Sequence, residues 1–443
     1  MGNIIKIKKG LDIPLHGAAS DEVVKDIKTE LFGIVPDDYP GYTWKVAVKK
    51  DDVVKKGSPL MFAKEDADLC LVSPVAGKVI EIKRGERRKV EFISVNKSEE
   101  QENEKFEIET SKESLFTALK KSGLFAMLRQ RPFDIVADIN SSPRDIFITA
   151  FDSAPLASEM IREEDKEYLE KGIAALSKFT EGKVYLSIRK GSDISSELAE
   201  VYEFEGPHPA GNFGTQIAAI KPVNKGETVW TADADTVVRI GKFVESGVLD
   251  TKIDVALTGD DVKNPHIIET HIGASIKSLT AGEIKEIDGN VRIISGNVLT
   301  GIKVDEDGFL RFPYRQITVI DEGDNADEFM GWASISPNKY SVKRSFPAFL
   351  RGLSKPFKFD ARVKGGHRAM ILSGEYDKVF PMDIYPEYLI KAIMAKDIEK
   401  MENLGIYEVA PEDFALPEFV DTSKLELQKI VREGLDYLRK ETV

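Results

Sequence analysis

The stretch Ser73-Pro-Val-Ala-Gly-Lys-Val79 decides how the N-terminal part of this chain folds. Its proline and glycine mark a turn, and the apolar residues around them fall at strand spacing. Ile80 and Ile82 continue the pattern as far as a second turn, Arg84-Gly-Glu-Arg87. The segment upstream has the same plan. Trp44, Val46 and Val48 alternate with Lys45, Ala47 and Lys49, the period of a half-buried strand, and Gly57-Ser-Pro-Leu60 supplies the turn. Two similar halves with glycine-centred turns predict a small all-β barrel-sandwich over 39–97.

The words S-P-V-A-G-x-V resemble the second half of biotinyl/lipoyl-type barrel-sandwich domains. In carriers of that family a lysine eight residues before the proline holds the prosthetic group; here that count ends on Asp66. A carboxylate cannot form the amide that attaches biotin or lipoate. The resemblance therefore implies the scaffold without its chemistry.

The composition narrows the choices. With 443 residues the chain has room for several domains. Its 42% hydrophobic residues are ample for sizeable cores, and 31% charged is ordinary for a water-exposed surface. A net charge of -13 argues against nucleic acid, whose phosphates need clustered Lys and Arg. The single cysteine, Cys70, permits no internal disulfide and no cysteine-ligated zinc or iron–sulfur site, and fits a reducing compartment. It reads as a small buried hydrophobe on a strand. No apolar run is long enough to span a membrane. Met1-Gly-Asn-Ile-Ile-Lys-Ile-Lys-Lys9 alternates like a strand and lacks the apolar core of a signal peptide.

Along the chain, residues 1–38 read as an extended arm and 98–105 as a charged linker. Thr110-Ser-Lys-Glu113 fits a helix capping box, with Leu115 and Leu119 on the apolar stripe that follows. A Rossmann-like layer is expected over 106–259. Ile146–Ala150 and Val184–Ile188 are its strands. A helix between them is capped by Asp152 or Ser153, carries Leu169, Ile173 and Leu176, and ends at Gly182. Val255–Gly259 is expected as the last strand. Residues 260–325 predict a small α+β unit, and 326–443 a C-terminal region with amphipathic helices over 386–404 and 423–440, the second using Leu425, Ile430 and Leu435.

The motifs of common catalytic and nucleotide sites are missing: no G-x-G-x-x-G after a strand, no Walker A loop, no G-x-S-x-G, no H-E-x-x-H. Of the five histidines only His266 and His271 are near one another, and Pro265 and Gly273 place them in a loop rather than on one helix face. Gly206-Pro-His-Pro-Ala-Gly-Asn-Phe-Gly214 is a stiff, glycine-bearing loop that reads either as a ligand or partner loop or as a rigid turn. Arg84-Gly-Glu-Arg-Arg-Lys89 reads as a solvated hairpin tip.

Several stretches, in order, resemble the A subunits of the bacterial sodium-translocating NADH:quinone oxidoreductase. They are Lys6–Pro14, Gly123-Leu-Phe-Ala-Met-Leu-Arg-Gln-Arg-Pro-Phe133, Ile146–Leu156, Gly206-Pro-His-Pro-Ala-Gly211, His271–Glu283 and Ile294–Gly301. That family is similar in turn to the C subunit of the Rnf complex and to the flavin-bearing NADH subunit of complex I. In those relatives a glycine-rich loop cradles flavin. The equivalent here, Ser122–Pro132, carries Phe125, Met127 and Leu128, whose side chains should fill the space a phosphate cradle needs. The relatives' A-E-C-E-P word reads Phe151-Asp-Ser-Ala-Pro155. Many members of the closer family carry two C-terminal cysteines, and Pro417 and Asp421 stand at those places.

The resemblance implies an α/β multidomain chain: barrel-sandwich, Rossmann-like domain, SLBB-like β-grasp unit and C-terminal helices. It implies a peripheral subunit without its own cofactor or catalytic residue, on the cytoplasmic face of the inner membrane, docked on subunits B to F and chiefly on B. The whole complex would reduce ubiquinone with NADH, through FAD, FMN, riboflavin and an iron–sulfur cluster, while exporting sodium. The resemblance permits a part in forming or gating the quinone site without locating one. Two other readings stay open: a soluble oxidoreductase binding NADH or flavin, and a lipoyl-like binding or carrier module.

Overall fold

Among the described residues the strands assort into four sheets. The computed structural model describes residues 3–25, 27–109, 111–158, 161–324, 333, 335–343, 345–350, 352 and 355–442.

Two small antiparallel sheets make the barrel-sandwich. One contains Leu31–Ile34, Val90–Lys97, Gly77–Arg84 and Val53–Val54; the other Trp44–Val46, Pro59–Ala63 and Cys70–Val72. Period-2 alternation sends Leu60, Val75, Val79, Ile93 and Val95 into a common core, all fully buried. The two turns face each other: Gly57 N–H donates to Ser73 O, and Ser73 N–H to Ser58 O, each at 2.9 Å. Gly77 is obligatory, because a Cβ there would sit 2.0 Å from Asn96 O. Cys70 is buried on a strand, as expected. The tip at 84–89 is the exposed hairpin end, pinned by Lys89 to Asp37 at 2.6 Å. The segment 98–105, read as a linker, is fastened to the barrel: the Gln101 amide exchanges two 3.0 Å hydrogen bonds with the Ala76 backbone.

The described residues of 3–35 are largely extended, a single 3-10 turn follows at Pro36–Asp38, and this segment contributes to three sheets. Asn3–Lys6 lies parallel to Glu200–Glu205, Val23–Val24 pairs with His266–His271, and Leu31–Ile34 with the barrel strand Val90–Lys97. Propensity shows that a segment is extended; only tertiary pairing fixes its neighbours.

The Rossmann-like layer is a seven-stranded sheet. Its order is Asn3–Lys6, Glu200–Glu205, Val184–Arg189, Ile146–Thr149, Val229–Asp233, Arg129–Arg131, Ile135–Val136; the first five are parallel. Helices Lys166–Leu176 and Ala234–Ser246 pack with backbones almost touching. A Cβ on Gly172 would meet Val237 O at 2.0 Å, and one on Gly241 would meet Tyr168 O at 1.9 Å. Three expectations change here. Val255–Gly259 does not close this sheet: Lys252–Thr258 joins a second, six-stranded sheet between Gln316–Asp321 and His266–His271. Its apolar run has no period to say which sheet buries it. The helix after Ile146–Thr149 begins at Lys166 and ends at Leu176, before one turn at Ser177–Phe179; Asp152 instead closes a local turn on Ala154 N–H. The cap of helix Lys112–Lys121 is Ser111, which accepts from Ser114 N–H at 3.2 Å; Thr110 lies outside the described residues.

The six-stranded sheet runs Ile302–Val304, Val291–Ser295, Gln316–Asp321, Lys252–Thr258, His266–His271, Val23–Val24. It is fixed to the barrel by Arg311 on Asp38 and by Thr251 Oγ1, which donates to Pro74 O at 2.8 Å. The C-terminal helices bury Leu389, Ile393, Phe414, Leu427, Val431 and Leu435 in a separate core. The helix expected over 386–404 is two, Pro386–Met394 and Ile398–Asn403, broken where Lys396 adopts φ 54°. Helix Leu427–Thr442 buries Leu435, with Leu425 and Ile430 half-buried beside it.

Candidate functional site: a switch-point cleft beside a filled loop

The loop Ser122–Pro132 forms no cradle. Phe125 is fully buried, edge-on to Trp230 at 5.4 Å and to Phe116 at 5.1 Å. Met127 and Leu128 are buried with it. The N–H groups of Ser122, Gly123, Met127 and Leu128 donate to the carbonyls of Ala118, Lys120, Leu124 and Phe125. A phosphate site needs such N–H groups bare and convergent, so the loop's side chains and its backbone agree.

Asp66 occupies the hairpin tip between Pro59–Ala63 and Cys70–Val72. Its Oδ1 accepts from Asp68 N–H, and its Oδ2 from Lys120 Nζ at 2.5 Å. Burial alone would raise this carboxyl, but the Lys120 hydrogen bond and charge outweigh it and hold Asp66 below the usual range. His266 and His271 are not in a loop but on one strand, an odd number of residues apart and hence on opposite faces. His266 Nδ1 meets Asn264 O and His271 Nδ1 meets Thr251 Oγ1, so the two share nothing. Among the described residues no group of three His, Cys, Asp or Glu side chains is arranged to hold a metal ion. Pro417 lies within helix Ala415–Val420, and Asp421 is buried just after it, accepting from Leu425 N–H at 2.8 Å.

A cleft opens beside the loop 206–214, the candidate ligand or partner loop, and its other walls come from segments that no motif marked. From Ile146–Thr149 the sheet grows first toward Val184–Arg189 and then, on the other side, toward Val229–Asp233. Such a reversal leaves a crevice at the carboxyl ends of the two strands. Thr149 ends one strand, with Phe151 and Asp152 just beyond it, and Asp233 ends the other; all four line an open cleft. The six-stranded sheet supplies Arg315 and its neighbours as the facing wall, and the C-terminal region supplies Glu412. The loop 206–214 is part of this wall through His208, Gly211 and Asn212.

Acid dominates the cleft. Burial raises Asp152 and Asp233 against the opposing charge of Arg315. Glu412 is pushed up to about 8 by burial and by Asp413, although Arg131 opposes both. Buried Arg131 bridges that pair, with Nη2 2.7 Å from Glu412 Oε1 and Nη1 3.3 Å from Asp413 Oδ2. His208, 2% exposed, is held neutral by burial, its pKa lowered to about 4. Its Nδ1 lies 3.0 Å from Ser153 Oγ, which also accepts from Gly211 N–H. Nε2 is buried without a partner among the described residues, so no carboxylate orients this imidazole as a relay would require. The residue types of Arg131, Glu412 and Asp413 gave no sequence signal, since 281 positions separate Arg131 from Glu412.

A barrel-sandwich joined to a Rossmann-like layer and a six-stranded mixed sheet, with the loop Ser122–Pro132 filled by its own side chains, defines the class: a multidomain α/β chain with no nucleotide cradle at that loop. Family models match three parts of the chain: the NqrA N-terminal barrel-sandwich hybrid domain over 5–98, the NqrA second alpha/beta domain over 110–249, and the NQRA C-terminal domain, of SLBB type, over 254–306. The chain is 37% identical to the A subunit of the Na(+)-translocating NADH-quinone reductase of Neisseria meningitidis serogroup A, over 99% of this chain and all of that protein. It is 36% identical to the protein of that name in Pasteurella multocida and 37% to that of Vibrio alginolyticus, at the same coverage. The chain belongs to the family of Na(+)-translocating NADH-quinone reductase A subunits. Among the described residues no helix is long and apolar enough to cross a membrane. A chain of NAD+-reducing [NiFe]-hydrogenase is similar at 13% identity and a TM-score of 0.34, covering 74% of this chain and 61% of that one, too loose a likeness to argue from.

Proposed function

We propose that this chain is a non-catalytic, peripheral subunit of a sodium-translocating NADH:ubiquinone reductase. It holds no flavin or iron–sulfur cluster of its own, and it docks on the cytoplasmic face of the membrane against the B subunit. The observation that carries the reading is the loop Ser122–Pro132, whose phosphate-cradle position is filled by Phe125 and its neighbours. Asp66, anchored on Lys120, supports it by leaving the barrel without an attachment lysine. The single buried cysteine fits a reducing compartment. A part in forming or gating the quinone site, which family membership permits, is proposed without named contacts.

The test is affinity purification of the tagged chain from detergent-solubilised membranes, with absorption spectra of the chain and of its complex. Co-purification of integral flavoprotein partners with sodium-stimulated quinone reductase activity is expected, and a colourless isolated chain. Stoichiometric flavin or a cluster spectrum on the isolated chain would overturn the proposal.

A further inference from the structure

We propose that the basic strip 337–372 seats this chain directly on the surface of an anionic lipid bilayer. Its cations meet lipid phosphate, and its exposed apolar side chains enter the headgroup layer. The strip holds nine Lys and Arg against one acid, Asp360, in a chain whose net charge is -13. The charge of the molecule is therefore divided: an anionic surface attracts this face and repels the remainder. Of the sixteen exposed large apolar side chains among the described residues, six stand in the same strip: Val342, Phe349, Leu350, Val363, Ile371 and Leu372. Apolar side chains left in water beside a run of cations are the pattern of a segment that lies on a membrane.

The strip is a built surface and not a tail. Phe357 N–H donates to Pro14 O at 2.7 Å and His16 N–H to Phe357 O at 3.1 Å, which stitches it to the opening segment. Tyr340 packs on Phe357 and on Phe359, each with ring centroids 5.5 Å apart, and Arg368 N–H donates to Ser423 O at 2.9 Å. Part of its charge serves as anchor. Lys343 lies 3.8 Å from Glu375 and Lys358 2.9 Å from Asp261, while Arg362 and Lys364 share Asp360 at 2.7 and 3.1 Å. Lys355 and Arg368 are exposed and pair with no acid among the described residues, which leaves them to phosphate. The composition selects the occupant. Lysine is depleted from the cores of protein interfaces, and nucleic acid offers no apolar layer to Leu350 or Ile371. A headgroup layer over acyl chains offers both chemistries at one surface. This affinity belongs to the chain alone and goes beyond its place in a complex.

Flotation of the purified full chain with vesicles of phosphatidylglycerol and phosphatidylethanolamine, against vesicles of phosphatidylcholine alone, tests this. The chain should float with the anionic vesicles at low salt, and several-fold less of it with phosphatidylcholine or at about 0.5 M salt. Lys355→Glu combined with Arg368→Glu should lower partitioning about tenfold or more. Leu350→Ser should weaken it at every salt concentration. Arg87→Glu, on the exposed barrel tip, should not change it, and thermal melts check that each variant is folded. No flotation with anionic vesicles at low salt would overturn the proposal, as would equal weakening by Arg87→Glu. A chain that dimerises in sedimentation without floating, and whose dimer Leu350→Ser abolishes, would give the face to a second copy; a monomer that does not float would give it to a protein partner. Either result overturns the lipid assignment, while co-purification with integral flavoproteins judges the subunit reading separately.

Discussion

Lys120 Nζ lies 2.5 Å from Asp66 Oδ2, joining the tip of the barrel hairpin to helix Lys112–Lys121, and the lysine side chain is only 11% exposed. Where a carrier keeps a mobile, modified lysine, this chain has a fixed ion pair. Asp66→Asn should leave a mostly buried ammonium without its counter-charge and cost about 1–2 kcal/mol in urea unfolding. Because the Asp66 carboxyl is held below its usual range, its contribution is present at neutral pH. It disappears as acid protonates the group in the folded state. Amide exchange at 64–69 should quicken in the variant, and an unchanged rate would refute the clamp.

Phe125→Ala should be far more costly. The ring is fully buried among Phe116 and Trp230, and such truncations cost about 3–5 kcal/mol. The space released should not confer flavin binding, because four N–H groups of the loop remain committed to its own carbonyls. Chemical denaturation and a flavin fluorescence titration check the two halves of this prediction separately.

Acid should destabilise the protein through His208 and His271. Burial lowers both to about 4, from an ordinary value of about 6.5. A folded-state value below the unfolded one means that stability is present above the unfolded pKa. It is lost as the pH falls from about 6.5 through about 4. His271→Gln, which can still reach Thr251, should flatten that part of the pH–stability curve measured by urea midpoints.

The Glu412–Asp413 pair acts in the opposite sense. Both carboxyls are raised, foremost by burial. Folding therefore takes up a proton, and stability declines as the pH rises from the usual carboxyl range toward about 8. Glu412→Gln, which preserves an acceptor for Arg131, should gain on the native chain as the pH rises, and the gap should close near pH about 5. A gap independent of pH would contradict this account.

Cys70 should resist thiol reagents while the chain is folded. It is 6% exposed, and burial pushes its thiol up to about 11, leaving almost no thiolate at neutral pH. Labelling by a disulfide reagent should be slow natively and fast in denaturant.

What the sequence made legible was local chemistry. Turn glycines and strict alternation located the barrel, and the bulky residues at 125, 127 and 128 announced a filled loop. Pairing across the chain stayed hidden. Val255–Gly259 is equally apolar in either sheet, and only the register with Gln316–Thr318 assigns it. The helix cap shifted by one residue because two adjacent hydroxyls, Thr110 and Ser111, satisfy the same pattern. Of the cleft only the loop 206–214 was visible, for a further reason. Its acids come from the ends of two strands and from the C-terminal region, and no spacing rule connects Asp152, Asp233 and Glu412.

The first strand carries a consequence for biosynthesis. Lys6 meets Glu205, 199 positions later, on the edge of the seven-stranded sheet. A chain emerging from the ribosome can close its barrel once residue 97 is out, since Leu31–Ile34 and Val90–Lys97 complete that sheet. Its opening residues must then wait, unpaired and strand-forming, until the far side of the Rossmann-like layer has been made. A tag or fusion at the N-terminus lengthens the segment that has to find this late partner, so it should slow maturation more than one placed after helix Leu427–Thr442.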